Sequence, residues 1–256
     1  MNILFVGDVV GETGCEYFGS VISAVKKENK INFTIVNGEN SGKGNGISKK
    51  SAAALFSYGA DVITTGNHVF YKSEARELLE DNPFVLCPAN IKDAAGSGVC
   101  IADLGRIRIA IINLLGRAFM ADTTSSPFEA ADKILNELPE DIKIILADFH
   151  AEATSEKKAL AYYLSGRVTA VLGTHTHTQT ADEQIINGTT AFITDAGMTG
   201  AYDSILGMTT DSVVARFTQE NPPHFKQAQG KQFLNSVAVE CDEKTGCALG
   251  IKRLRV

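Results

Sequence analysis

The 256-residue chain has no tryptophan, six prolines and five histidines, and no apolar run near the roughly 18 residues of a bilayer-spanning helix. A membrane span is therefore not expected. Its five cysteines, Cys15, Cys87, Cys100, Cys241 and Cys247, are odd in number, scattered and without a CxxC pair. That excludes a disulfide framework and a closed structural zinc site, and reduced thiols used as small core residues suit a cytoplasmic protein. Basic charge is also short: 24 Lys and Arg stand against 30 Asp and Glu, a formal net charge of -6. Bulk nucleic-acid binding and membrane-surface binding are thus not expected, although a local basic pocket stays open. What is present is an ordinary soluble composition, 44% hydrophobic and 21% charged, enough for a sizeable core.

MNILFVGD carries no basic leader and reads as a first strand rather than a signal peptide. Further aliphatic runs follow at Phe33–Val36, Val62–Thr64, Val99–Ile101, Ile107–Ile112, Ile142–Leu146, Val168–Leu172 and Phe192–Thr194. Helical stretches lie between them at Tyr17–Lys27, Ser48–Tyr58, Ser73–Leu79 and Thr154–Leu164. In SPFEAADKIL, Ser126 is an N-cap, Pro127 the first helical residue and Glu129 the partner in a capping box. Strands alternating with helices predict an α/β fold of βαβ units and a largely parallel sheet. After Asp203 the rhythm changes, and residues 235–253 predict a C-terminal hairpin joined through DEKTG. With no repeat or linker, residues 1–256 read as a single domain.

The strands end in unexpected polar residues. GDVVG carries Asp8, GEN carries Glu39 and Asn40, and TGNH carries Asn67 and His68. ADFH adds Asp148 and His150, and VLGTHTH adds His175 and His177. In open α/β sheets, ligands bind beyond the carboxyl ends of the strands. Glycines 7, 38, 66 and 173 precede these residues and permit sharp turns and close backbone approach. In extended backbone, His175 and His177 point to one side, which suggests a shared target. Singly, Asp8 reads as a turn or cap residue, and His68 or His150 as a hydrogen-bonded core histidine. GDVVGETG lacks the GxGxxG spacing of a dinucleotide loop. Together, four of five histidines sit beside acids and amides, and only His224 falls outside the pattern. Oxygen donors mixed with imidazoles suit Fe, Mn or Zn, and seven donors are too many for one tetrahedral ion but right for two.

At these residues the chain resembles the calcineurin-like metallophosphoesterases, through GD, GNH and GTHTH. Val10 stands where that superfamily usually has a histidine, and GEN replaces its GDxxD segment. With GRAFM at 116–120, DFHAEATSEK at 148–157, GTHTHTQTAD at 173–182 and TDAGMTGAYDS at 194–204, these departures resemble the YmdB-like branch. The likeness runs from Met1 to about Met208, and more loosely to the end. It implies a four-layer αββα sandwich of mostly parallel and mixed sheets flanked by helices. It also implies one metal on Asp8, Glu39, Asn40 and His177 and a second on Glu39, Asn67, His150 and His175, with Glu39 bridging and iron the usual metal. His68 matches the branch's proton donor. GNHVFY departs from the usual Thr-Trp-Asp type segment after GNH, which bears on the pocket wall and on the orientation of His68.

The branch includes 2′,3′-cyclic-nucleotide phosphodiesterases. The implied activity is hydrolysis of small phosphodiesters by metal-activated hydroxide, with His68 as general acid. A phosphomonoesterase or phosphoprotein phosphatase, and a metal- and nucleotide-binding regulator with slow hydrolysis, are the competing readings. The expected partner is a small-molecule phosphodiester, with homo-oligomerisation left open. No substrate-binding residue is assigned. Arg117 is a candidate for phosphate or for a surface ion pair, Thr178, Gln179 and Thr180 for orienting the histidines, and Met198–Tyr202 for a flexible loop beside the pocket or a subunit contact.

Overall fold

The computed structural model describes residues 1–120 and 124–256. In chain order the first half comprises β1 (Asn2–Val6), β2 (Asp8–Val9), α1 (Gly11–Glu28), β3 (Phe33–Asn37), α2 (Lys49–Tyr58), β4 (Val62–Thr64), α3 (Ala75–Asp81), β5 (Val99–Asp103) and β6 (Arg108–Leu115). The second half comprises α4 (Pro127–Glu137), β7 (Ile144–His150), α5 (Thr154–Leu164), β8 (Ala170–Thr174), β9 (Gln184–Ile186), β10 (Thr190–Ile193), β11 (Met198–Ala201), α6 (Thr210–Thr218), β12 (Gln232–Cys241) and β13 (Ala248–Arg255).

These elements build two mixed sheets rather than one largely parallel sheet. A seven-stranded sheet runs β2-β11-β12-β1-β3-β4 with β13 on β12, and a six-stranded sheet runs β5-β6-β7-β8-β10-β9. Period-two alternation explains the layering. In β1, Ile3 and Phe5 face the other sheet and meet Ile111, Ile144 and Leu146. Leu4 and Val6 point the opposite way, onto Phe18 and Ile22 of α1 and Leu55 of α2. In the second sheet, Ile112 and Phe149 pack outward against Ile134 of α4 and Leu160 of α5. Each central strand is thus apolar on both faces, and the order of layers is helix, sheet, sheet, helix.

Local signals set the helix ends. Ser48 caps α2 in a box with Ser51, and Gly59, at φ 119°, closes it. Ser126 caps α4 by accepting from the Glu129 N–H, without the reciprocal half of the expected box. The C-terminal hairpin forms, but β12 lies inside its sheet, antiparallel to β1 from Asn2↔Glu240 to Val6↔Ser236. Met198–Ala201, expected as a flexible loop, is a buried strand between β2 and β12. Helix α1 packs closely on it: a Cβ on Gly14 of α1 would lie 2.8 Å from the Thr199 carbonyl oxygen. No described helix is long and apolar enough to cross a membrane.

Candidate metal centre

All the predicted site residues gather where the carboxyl ends of strands from both sheets meet. Asp8 opens β2, Glu39 and Asn40 follow β3, and Asn67 and His68 follow β4. His150 is the last residue of β7, which extends past the predicted end at Leu146, and His175 and His177 follow β8. Close approach is what the glycines provide here. A Cβ on Gly66 would lie 2.3 Å from the His150 ring, so only glycine lets that imidazole reach Asn67. The sharp turns belong instead to His175 and His177, at φ 104° and 62°, a left-handed conformation that non-glycine residues seldom adopt. Their rings therefore converge through a twisted turn, not an extended strand.

The donors form two triads. In one, the Asn40 carboxamide nitrogen lies 3.5 Å from Asp8 Oδ1 and 3.1 Å from His177 Nε2, with Asp8 and His177 3.6 Å apart. In the other, His150 Nε2 lies 3.0 Å from Asn67 Oδ1 and 3.1 Å from His175 Nδ1. Glu39 sits between them, its carboxylate accepting from the Gly66 N–H at 2.5 Å and from the His68 N–H. Asp8 and Glu39 are wholly buried, and neither has a Lys or Arg partner among the described residues.

Hydrogen bonds on the outer side fix each imidazole. Thr174 donates its hydroxyl proton to Asp148 Oδ1 at 2.7 Å, so its oxygen accepts from His150 Nδ1 at 2.9 Å. His177 Nδ1 faces the Leu206 carbonyl at 3.0 Å and must donate. His175 Nε2 faces the Glu152 carboxylate at 3.0 Å. The inward nitrogens, Nε2 of His150, Nε2 of His177 and Nδ1 of His175, are therefore left as lone pairs. In the second triad three acceptors face one another at 3.0–3.1 Å. Such crowding is repulsive for hydrogen-bonding groups but is the usual spacing of neighbouring ligands about an ion with bonds near 2.1 Å.

Among the described residues, no three His, Cys, Asp or Glu side chains form a metal-holding group by themselves. Each triad supplies two such groups, and a carboxamide is its third member. As placed, Asn40 turns its nitrogen to Asp8 and its oxygen to His68 Nδ1 at 3.1 Å. An amide flip would bring the oxygen inward. With that flip the donor set fits two cations sharing Glu39.

The charges carry the same message. Burial pushes the Glu39 carboxyl up to about 8, against the Gly66 and His68 N–H groups, with Asp8 adding to the rise. Burial would raise Asp8 too, but His177 and His150 hold it well below the carboxylate range. Burial lowers His150, His175 and His68. Burial would lower His177 as well, but Asp8 raises it. The two buried carboxylates thus have an imidazole drawn toward its cationic form and no Lys or Arg partner among the described residues, an electrostatic demand for cations.

His68 stands beside this cluster. Its Nδ1 lies 3.1 Å from Asn40 Oδ1 and 3.3 Å from Glu39 Oε1, and its ring packs at 4.4 Å against Tyr71. Its Nε2 has no hydrogen-bond partner among the described residues. Of the other candidates, Arg117 is exposed and only its backbone is engaged, by Glu156. Among the described residues, no hydrogen bond joins the side chains of Thr178, Gln179 or Thr180 to a histidine ring. Gln179 instead ties the Ala196 and Ser236 carbonyls, and His224 is exposed.

Asp148, read from the sequence as one of the strand-end polar residues, holds the site from behind rather than lining it. With it act Asn37, Thr174, Lys157 and Asp195, which the sequence reading missed. Asp148 is buried and accepts from Asn37, Thr64 and Thr174, which with burial as the main cause leaves its carboxyl at about 7. Lys157 and Asp195 form an ion pair at 2.8 Å, both essentially inaccessible, and Asp195 also accepts the Thr176 N–H at 3.0 Å. Polar residues inside apolar runs, Asn37 in FTIVN and Asp148 in IILADFH, were the available signal.

The same fold and sequence pattern occur elsewhere. A 2′,3′-cyclic-nucleotide 2′-phosphodiesterase of Bacillus subtilis is 42% identical over 257 residues, covering 100% of this chain and 97% of the relative. A solved structure from Thermus thermophilus, described only as a hypothetical protein, superposes with a TM-score of 0.93 at 35% identity, covering 100% of this chain and 99% of the other. A structure described as a novel phosphatase, from Mycoplasma pneumoniae, gives a TM-score of 0.94 at 30% identity, covering 100% and 93%. The family described as YmdB-like protein matches residues 4–254. The chain belongs to that family, within the metallophosphoesterase superfamily.

Proposed function

We propose that this chain is a single-domain, cytoplasmic phosphoric diester hydrolase that binds two metal ions, iron first and manganese or zinc next, and opens 2′,3′-cyclic nucleotides. The observation that carries this reading is the pair of donor triads sharing buried Glu39, with His68 at their border. Asp8, Asn40 and His177 would hold one ion, Asn67, His150 and His175 the other, and Glu39 both. Bound ions would supply positive charge at the phosphoryl oxygens and acidify water for attack at phosphorus.

The protein's own work lies in orientation and proton transfer. The Glu39 carboxylate lies 3.3 Å from His68 Nδ1 and holds that side of the ring toward the cluster, so that Nε2 points away from it. In the imidazolium form of His68 that nitrogen delivers its proton to the departing ribose oxygen and the ring is left neutral, a step typically worth about 10²–10⁴-fold in rate. The Tyr71 ring limits the swing of the imidazole. Elemental analysis of gently purified protein, paired with assays on 2′,3′-cyclic AMP, p-nitrophenyl phosphate and its bis ester, tests the reading. About two ions per chain and preferential diester turnover are expected, with His68→Ala keeping the metal and losing at least a hundredfold in kcat. Preferential monoester turnover would transfer the site to the phosphatases, and a metal-replete protein that binds nucleotide without turnover would make it a regulator.

A further inference from the structure

Beside the first triad opens a cavity of about 630 Å³. The His177 ring forms part of its wall, while Nε2 of that ring faces Asp8. We propose that this cavity is a subsite for the nucleotide on the 5′ side of the cyclic phosphate, so that the preferred substrate is the 3′ end of an RNA strand. The proposal rests on the phosphodiesterase reading and extends it.

Three features of the cavity match what a ribonucleotide presents. The first is charge. On a chain of net charge -6, the wall carries Lys252, Arg253 and Arg255 against one carboxylate, Glu183. Arg253 engages that carboxylate at 2.8 Å. Lys252 and Arg255 have no carboxylate partner among the described residues and are exposed. A free mononucleotide 2′,3′-cyclic phosphate has no second phosphate for them, whereas a strand end has one at every step.

The second is a pair of aromatic rings. Tyr202 is 51% exposed and meets Phe233 edge to face at 6.0 Å. The Arg255 guanidinium spans both rings, at 5.3 Å from the Tyr202 centroid and 4.9 Å from that of Phe233. Aromatic and guanidinium planes of this kind are the platforms on which unpaired bases stack. The third is an unsatisfied acceptor. Asn235 lines the cavity, is only 5% exposed, and its Oδ1 has no hydrogen-bond partner among the described residues. A buried acceptor calls for a donor, which a ribose hydroxyl or an exocyclic amine supplies.

The test compares metal-loaded protein on 2′,3′-cyclic AMP and on the trinucleotide ApApA ending in a 2′,3′-cyclic phosphate. The trinucleotide is expected to have at least a tenfold higher kcat/KM, expressed mainly in KM. Its log–log salt slope should be steeper by about 0.7 for each phosphate contacted. The double variant K252Q/R255Q changes exposed side chains only. It should bring the trinucleotide down to the mononucleotide level while leaving cyclic AMP within twofold. Equal kcat/KM for both substrates, or a preference that survives in K252Q/R255Q, overturns the subsite. Hydrolysis of neither substrate removes the phosphodiesterase reading instead. In that event, fluorescence anisotropy of labelled trinucleotide decides the subsite: binding lost in K252Q/R255Q supports it, and no wild-type binding overturns it.

Discussion

Lys157→Met probes how the turn bearing His175 and His177 is held. Lys157 and Asp195 are each no more than 1% exposed and pair at 2.8 Å. Removing the ammonium leaves a buried carboxylate without a counter-charge, a loss of about 3–5 kcal/mol. A chain of 256 residues unfolds with an entropy of about 0.5 kcal/mol per kelvin. The melting temperature should therefore fall by about 6–9 K. The damage should also reach the site, because Asp195 anchors the Thr176 N–H between the two left-handed histidines. Each such conformation carries about 1–3 kcal/mol of strain that surrounding bonds must hold. Metal content should fall with the melting temperature. Burial already raises the Asp195 carboxyl, so the deficit should shrink as the pH falls and the acid takes up a proton. In the double variant K157M/D195N the charge is gone and most of the stability should return. Differential scanning calorimetry with elemental analysis reads all of this. A K157M protein that melts within 2 K of wild type with full metal content would refute the reasoning.

Gly66→Ala places a methyl group 2.3 Å from the His150 ring. It should cost the second triad its ion, seen as about one metal lost per chain by elemental analysis with the fold retained by circular dichroism. For Glu39, a folded value near 8 against the usual 4.5 means that the metal-free protein holds a proton the unfolded chain has released. Its stability should fall as the pH rises through that window, and manganese should restore most at the upper end. Titration calorimetry at pH 7 in buffers of differing protonation heat should register proton release on metal uptake, and its absence would count against Glu39 as the shared ligand. Burial pushes Cys15, Cys87 and Cys100 up to about 12 and Cys241 to about 11, leaving Cys247 as the partly accessible thiol. Iodoacetamide at pH 8 should label one site in the native protein, counted by mass spectrometry.

The strand-end donors were legible because Asp8, Glu39, Asn67 and His150 interrupt apolar runs, and nothing in a core tolerates such groups unpaired. The convergence of His175 and His177 was anticipated from extended geometry, yet β8 stops at Thr174 and a left-handed turn does the work. Backbone strain leaves no periodic mark in a sequence. Met198–Tyr202 misled for a related reason: its glycine content suggested mobility, whereas Met198–Ala201 is a buried strand on which α1 packs closely through Gly14. The supporting groups, Asp148 through Thr174 and Lys157 through Asp195, depend on partners more than 20 residues away that only the packed sheets reveal.

The position of β12 bears on how the chain is made. β1 is synthesised long before its antiparallel neighbour, which spans Ser236–Glu240. Until that late segment emerges, β1 keeps one edge open, with its amides and carbonyls free to pair with any passing strand. Products of termination before residue 232 should therefore clump while chains that include β12 stay dispersed, and the synthesis of β12 becomes the step that closes the sheet.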